Sequence, residues 1–274
     1  MAFERLGQSP IDYQHCRYGD SKLLFRGPKR DLDAPFIAFL GGTETYGKYI
    51  PKPFARLVEE ECGKTCVNFG TVNSGVDAFV ADSAVLPICG QSELTVVQVM
   101  GAQNMSNRFY TVHPRRNDRF LKASALLRTI YREVDFTEFS FTRHLLMALK
   151  TVSPSRFAML EQELRAVWLA RMELLLSKIS GRVVLLWMSD RTPLREPVGN
   201  DLGVDPLFVD AQMIDALSPR LDGYVEVVVP WELRAMGTAG MMYPELERGI
   251  AQEMYGPGVH KLVASKLMGV LGEG

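Results

Sequence analysis

The stretch Phe36-Ile37-Ala38-Phe39-Leu40-Gly41-Gly42 decides the fold. Its five consecutive apolar residues predict a strand buried on both faces, and the two glycines predict a tight loop directly after it. Similar strands are predicted at residues 65–69, 94–100, 182–188 and 224–229, and helices at residues 54–61, 76–86, 155–179 and 259–271. Because strands and helices alternate, we expect a three-layer α/β/α sandwich with a flavodoxin-like, mostly parallel five-stranded sheet.

The whole chain, residues 1–274, is interpreted as one α/β domain. Residues 1–34 are an N-terminal extension, and residues from about 104 to 155 are an insertion between the third and fourth strands of the sheet. Apolar spacing in this insertion predicts helices at residues 117–133 and 136–149. A loop rich in proline, glycine and charge, residues 191–206, should lie over the carboxyl edge of the sheet.

The charge balance excludes some partners. The sequence has 31 Lys and Arg against 32 Asp and Glu, so no overall field attracts nucleic acid or an anionic membrane. We find no apolar run long enough to span a bilayer and no signal-peptide core, and we expect a cytoplasmic protein. The four cysteines lack a zinc-binding pattern, which predicts reduced thiols and neither metal nor cofactor. Whether the chain forms a homo-oligomer stays open.

The loop after the first strand, Gly41 to Tyr49, allows two chemical interpretations. Gly42 to Lys48 fits the phosphate-binding pattern G-x-x-x-x-G-K, which would suit phosphoryl or sulfuryl transfer from a nucleotide. However, Tyr49 stands where a Ser or Thr should bind magnesium, and two prolines delay the helix that phosphate needs. We therefore rank this interpretation low. Thr43 and Thr45 could also simply hydrogen-bond to the loop backbone.

The second interpretation is a resemblance. Gly41-Gly42-Thr43-Glu44-Thr45-Tyr46-Gly47 resembles the Gly-Asp-Ser-x-Thr-x-Gly block of the SGNH, or GDSL-like, hydrolases, and Asn68 to Gly75 resembles their second block. Gly101-Ala102-Gln103-Asn104 is similar to their Gly-x-Asn-Asp block. The resemblance implies an esterase or acyltransferase with Thr43 as nucleophile. It also implies an oxyanion site made by the Gly70 N–H and the amide of Gln103 or Asn104.

The last block of that family is Asp-x-x-His, and Pro257-Gly258-Val259-His260 keeps only the histidine. By the resemblance, His260 is the general base. Gly42, Thr43 and Pro257 replace the family's Asp, Ser and Asp, so the rival hypothesis is a binding or structural protein that has kept the scaffold and lost the triad. Asp190, after the fourth strand, could supply the missing carboxylate, although helix capping is the simpler role.

Residues 104–119 concentrate positive charge directly after the third strand. We expect this segment to overhang the same face as Thr43 and to bind an anionic or carbohydrate-linked small molecule. The candidate substrate-binding residues are Arg108, Tyr110, His113, Arg115 and Arg116. The alternative is a solvated loop whose arginines pair with nearby acids. The segment also resembles a bacterial protein family of unknown function, a resemblance that implies no activity.

Overall fold

The computed structural model describes residues 11–194 and 202–271. The strands are β1 Phe36–Gly41, β2 Thr65–Gly70, β3 Leu94–Gln98, β4 Tyr110–Val112, β5 Phe120–Ala123, β6 Val183–Ser189 and β7 Gly223–Val228. The α-helices are α1 Thr43–Tyr46, α2 Phe54–Cys62, α3 Val76–Val80, α4 Val85–Cys89, α5 Ala125–Ile130, α6 Thr142–Val152, α7 Pro154–Ser177, α8 Ala211–Leu217, α9 Trp231–Ala235, α10 Arg248–Glu253 and α11 Pro257–Leu271. Short 3-10 helices occur at Phe136–Glu138, Ser218–Arg220 and Glu245–Glu247.

The predicted three-layer architecture is confirmed. Five strands form one parallel sheet in the order β2-β1-β3-β6-β7, which is the flavodoxin-like arrangement. Helices cover both faces of this sheet, and every residue of β1 is buried. The uninterrupted apolar run of β1 follows from that arrangement, because neither face of a central parallel strand meets water.

The two faces of the sheet have separate cores. Phe39 of β1 belongs to the apolar cluster shared with α2 and α11, which includes Val58 and Val263. Leu40 points to the opposite face and joins a larger cluster with Trp168 of α7. The Trp168 indole N–H also donates to the Met100 carbonyl at 2.7 Å, so the long helix is fixed to the loop after β3.

The segment between β3 and α7 is less helical than predicted. The expected helix at 117–133 is wrong, because β5 pairs antiparallel with β4 and only α5 is helical in that range. Within 136–149 the chain forms a 3-10 turn and then α6, which begins at Thr142. Tyr110 and Phe120 place their rings 6.3 Å apart in the buried hairpin, so packing between the two strands outweighs the local helical spacing.

The predicted helix at 76–86 is divided into α3 and α4. The Asp82 carboxylate accepts the backbone N–H groups of Ala84 and Val85, which starts a new helix. Pro87 follows the predicted end of the helix but lies inside the first turn of α4, where its missing N–H costs little.

Part of the predicted loop at 191–206 lies outside the described residues, as does the beginning of the N-terminal extension. Across 11–194 and 202–271, no helix combines the length and the apolar character that crossing a membrane requires.

Candidate functional site

A cleft of about 770 Å³ opens at the carboxyl ends of β1, β3 and β6. In parallel α/β sheets, ligands bind at this edge, near the point where the strand order reverses. The described residues that line the cleft come from several segments: the α1 turn with Thr43 and Glu44, the loops after β2 and β3 with Asn73, Gln103 and Asn104, Asp118 and the start of α6, and later segments with Asp190, Asp205, Arg234 and Tyr255. The cleft therefore lies where the strand and glycine pattern predicted a site.

Gln98 at the end of β3 fixes the turn that presents Thr43. Its buried Oε1 accepts the N–H groups of Gly42 and Thr45, each at 3.2 Å, and the Thr45 hydroxyl at 2.5 Å. Gly41 permits this close approach, since a Cβ there would lie 2.2 Å from Thr45 Oγ1. Thr45 thus has a structural role, whereas Thr43 is left on the cleft surface.

The Thr43 hydroxyl is bound to an asparagine rather than to a base. Thr43 Oγ1 accepts the Asn73 backbone N–H at 3.0 Å and lies 3.5 Å from Asn73 Oδ1. Asn73 Nδ2 in turn donates to Asp118 Oδ2 at 3.1 Å. An amide oxygen does not take up a proton at neutral pH, so the groups in contact with Thr43 within the described structure do not activate its hydroxyl.

His260 lies in the core instead of the cleft. The side chain is 0% exposed, and its ring stacks on that of Phe54, with 5.6 Å between the centroids. Nδ1 accepts the Phe54 backbone N–H at 3.2 Å. A neutral imidazole that accepts at Nδ1 carries its proton on Nε2, and Nε2 has no hydrogen-bond partner in the described part of the chain. Burial lowers the pKa of His260 to about 3.

These contacts separate the predicted nucleophile from the predicted base. Neither Nδ1 nor Nε2 of His260 bonds to Thr43, and His260 is absent from the described residues that line the cleft. In a serine-hydrolase triad the histidine donates from Nδ1 to a carboxylate and accepts at Nε2. The hydrogen bond from Phe54 imposes the reverse arrangement on His260.

The candidate oxyanion donors have different surroundings. The Gly70 N–H already donates to Asn68 Oδ1 at 2.8 Å, and a Cβ at Gly70 would lie 2.2 Å from the Tyr46 nitrogen. This glycine therefore serves the packing of α1 against β2. Gln103 lines the cleft and donates from Nε2 to Asp205 Oδ1 at 3.2 Å.

Asn104 is the remaining amide. It lines the cleft, and its Oδ1 accepts the Thr142 hydroxyl at 2.7 Å. None of the described groups accepts a hydrogen bond from its Nδ2, so this nitrogen can donate to a ligand in the cleft. Of the three candidate donors, Asn104 has the geometry closest to the predicted one.

The positively charged segment folds away from the cleft. None of its five predicted substrate-binding residues is among the described residues lining the cleft: Arg108, Tyr110, His113, Arg115 and Arg116. Arg108 pairs with Glu163 of α7 at 3.0 Å. The buried Tyr110 hydroxyl donates to the Gln103 carbonyl at 2.7 Å, and His113 Nδ1 accepts the N–H groups of Arg115 and Arg116. Only the ends of the segment, Asn104 and Asp118, reach the cleft.

The phosphate-loop interpretation finds no support in the geometry. Gly42 to Lys48 contains the single turn of α1, which ends at Gly47 in the left-handed region (φ 72°). Lys48 Nζ lies 3.5 Å from a Glu247 carboxylate oxygen and 4.6 Å from the centroid of the Tyr49 ring. The lysine that would bind phosphate is therefore held by an acid outside the loop.

Sequence reasoning missed an acidic group in the cleft. Burial raises the pKa of Glu44 to about 8, and the nearby Asp190 and Asp205 carboxylates act in the same direction. Arg234 Nε lies 3.7 Å from Asp190 Oδ2. Asp190, the carboxylate suggested for the histidine, lines the cleft, and its charged partner there is Arg234. No motif marked Glu44 or Arg234, and only the place of Glu44 beside the candidate nucleophile could have signalled it.

No group of three His, Cys, Asp or Glu side chains that could hold a metal ion occurs in the described residues. The cleft is lined by carboxylates, amides, hydroxyls and arginines, and also by apolar side chains that include Met100, Ile250 and the rings of Phe141 and Tyr255. This composition suits recognition of a polar organic molecule.

Comparison with known proteins gives the family. The sequence matches a family described as a domain of unknown function, DUF6473, over residues 1–274. The chain belongs to this family. No curated protein matches the sequence. A solved structure described as "BT4096 a gut microbial diltiazem-metabolizing enzyme" is similar over 89% of this chain and 48% of that one, with 11% identity and a TM-score of 0.41. The chain spans about half of that structure, and so distant a likeness carries no argument about activity.

Proposed function

We propose that this DUF6473 chain is a ligand-binding protein on an SGNH-like scaffold that does not use the serine-hydrolase mechanism. The observation that carries the proposal is the environment of His260, whose Nδ1 accepts the Phe54 N–H in the core. A histidine in this tautomer, with a pKa of about 3, has no basic nitrogen to offer Thr43 at neutral pH. The cleft itself is open and lined by both polar and apolar groups, as small-molecule sites usually are.

The proposed ligand is a small polar molecule that contacts Thr43, Asn104 and the carboxylates around them. The cleft volume, about 770 Å³, falls in the usual range for small-molecule sites. We also propose a cytoplasmic location, which the four unpaired cysteines support, because free thiols are typical of reducing compartments.

The second candidate is the esterase or acyltransferase that the sequence motifs favour. It is supported by the presence of both Thr43 and the free Asn104 amide on the cleft surface. An acyl transfer would need the Thr43 hydroxyl to attack the carbonyl carbon and its proton to pass to a base. This candidate therefore predicts turnover that depends on Thr43 with a base other than His260.

The two candidates are separated by combining a hydrolysis assay with a binding assay. The purified chain is tested for hydrolysis of p-nitrophenyl acetate, and a panel of neutral, cationic and anionic polar molecules is screened by thermal shift. Thr43→Ala is compared with Thr129→Ala, which removes a hydroxyl from the exposed face of α5. We expect the wild-type chain and Thr43→Ala to show the same hydrolysis, at background level. We also expect at least one molecule of the panel to raise the Tm of the wild-type chain. Hydrolysis lost only in Thr43→Ala would refute the proposal and establish the acyltransferase.

A further inference from the structure

The charges that line the cleft are unequal. Its described residues include five acids, Glu44, Asp118, Asp190, Asp205 and Glu253, and two arginines, Arg143 and Arg234. In a chain with a net charge of -1 this is a local excess of negative charge. The expectation of an anionic ligand came from arginines that the structure places elsewhere, and the cleft has the opposite sign.

Both arginines are already engaged. Arg143 donates from Nη2 to Asp205 Oδ2 at 2.6 Å, and from Nη1 to the Leu202 carbonyl. Arg234 lies 3.7 Å from Asp190 and donates to the backbone carbonyls of Met254 and Glu253 at 3.0 and 3.2 Å. These contacts hold the cleft walls in place and neutralise two of the five acids, so little positive charge is left to bind an anion.

The other three acids form no direct ion pair, although Arg234 acts electrostatically on Glu44, and Arg119 and Arg116 on Asp118. Within residues 11–194 and 202–271, no ion pair involves Glu44, Asp118 or Glu253. Asp118 binds Asn73 through Oδ2, while its Oδ1 is buried without a donor. Gln103 is a second, independent indication that a donor is missing, since this residue is only 5% exposed and its Oε1 has no hydrogen-bond partner. The cleft therefore carries an excess of negative charge, and two acceptor oxygens of its lining residues have no donor.

We propose that the cleft binds a small molecule that carries an ammonium group, protonated or quaternary, with Glu44 and Asp118 as its counterions. Both acids are linked to Thr43, because Glu44 follows it in the chain and Asp118 is connected to it through Asn73. An ammonium group near the Thr43 hydroxyl supplies positive charge, and a protonated one also supplies N–H donors. This inference rests on the proposed binding function and specifies its ligand class.

Binding of such a cation is coupled to the protonation of Glu44. The groups around this carboxyl are the Tyr255 backbone N–H, Arg234, Asp190 and Asp205, and the carboxyl has a pKa of about 8. At pH 7 it is mostly neutral, so a cation that pairs with the carboxylate must displace its proton. For a ligand whose charge does not titrate, affinity therefore increases about tenfold between pH 7 and pH 9.

The test uses cations beside neutral molecules of the same shape. Ethanolamine and 1-propanol form one pair, and choline and 3,3-dimethyl-1-butanol form the other, with glycolate as the anion. Binding to the whole chain is measured by thermal shift and calorimetry, and the choline titrations are repeated at pH 7 and pH 9. Glu44→Gln and Asp118→Asn keep the side-chain shapes, and Glu138→Gln, at an exposed site outside the cleft, is the control.

We expect the two cations to bind, the neutral analogues and glycolate not to bind, and choline to bind about tenfold more tightly at pH 9. The pH effect should disappear in Glu44→Gln and persist in Glu138→Gln. Equal binding of a neutral analogue, binding of glycolate instead, or no binding of either cation would overturn the ligand class. These outcomes concern the ligand class alone. The proposed binding function is refuted separately, by hydrolysis that depends on Thr43.

Discussion

Replacing His260 by asparagine should remove a specific part of the pH dependence of stability. Burial lowers the pKa of His260 from its usual 6.5 to about 3 in the folded chain, so between these values the unfolded state binds a proton that the folded state does not. Stability consequently increases with pH across this window and is lost as the pH falls below about 6.5. From pH 8 to pH 5 the unfolded state gains about 2 kcal/mol from this single group.

The assay is urea unfolding of the wild-type chain and of His260→Asn at both pH values. Asparagine keeps an acceptor near the position of Nδ1, where the Phe54 N–H donates, but it cannot be protonated. We expect the variant to lose about 2 kcal/mol less than the wild type between pH 8 and pH 5. The exposed His144 provides a matched control, because His144→Asn also removes one imidazole but from the surface of α6. An identical pH dependence in the wild type and His260→Asn would refute the buried, neutral histidine.

Three further substitutions test the framework that presents the cleft, all by urea unfolding. Gln98→Leu leaves three donors of the α1 turn without their buried acceptor and should cost about 3 kcal/mol, and an unchanged midpoint would argue against that role. Gly70→Ala forces a methyl group against the Tyr46 backbone and should cost about 3 kcal/mol, whereas Gly249→Ala, with open space around it, should cost less than about 1 kcal/mol. Asn117→Ala removes the buried acceptor of two N–H groups at the start of α3, and a loss below about 1 kcal/mol would contradict its capping role.

The fold could be predicted because its signals are local and repeated. Each parallel strand is a short apolar run followed by a polar loop. An uninterrupted run such as Phe36–Leu40 indicates a strand that is buried on both faces. The prediction failed between β3 and α7, where long-range pairing decides the structure. Residues 120–123 form a strand only because Tyr110–Val112 lies beside them, and spacing within one segment does not show that partner.

The site could be predicted only in part, for the same reason. Four residues that follow strands in the sequence do line one cleft in the structure: Thr43, Gln103, Asn104 and Asp190. The role of His260 depends on which backbone group meets its ring, and the sequence does not show that Phe54 supplies this group from 206 positions away. The arginines were expected near the cleft from their nearness in sequence to β3.

The raised pKa of Glu44 also depends on residues that are distant in the sequence. Its raised pKa depends on burial and on two acids from other loops, Asp190 and Asp205. A glutamate in a polar loop gives no sign of this in the sequence, because each contributing group is unremarkable on its own. Such sites become visible only when the fold has brought the loops together.

The central claim, that Thr43 lines a binding cleft and is not an activated nucleophile, is tested most directly with a fluorophosphonate, which phosphonylates activated serine and threonine hydroxyls. Mass spectrometry of the intact wild-type chain and of Thr43→Ala after incubation at neutral pH measures the adduct. The account predicts no adduct on Thr43, because neither the Asn73 amide nor the buried His260 can take up the hydroxyl proton. A stoichiometric adduct that maps to Thr43 and is absent from Thr43→Ala would contradict it.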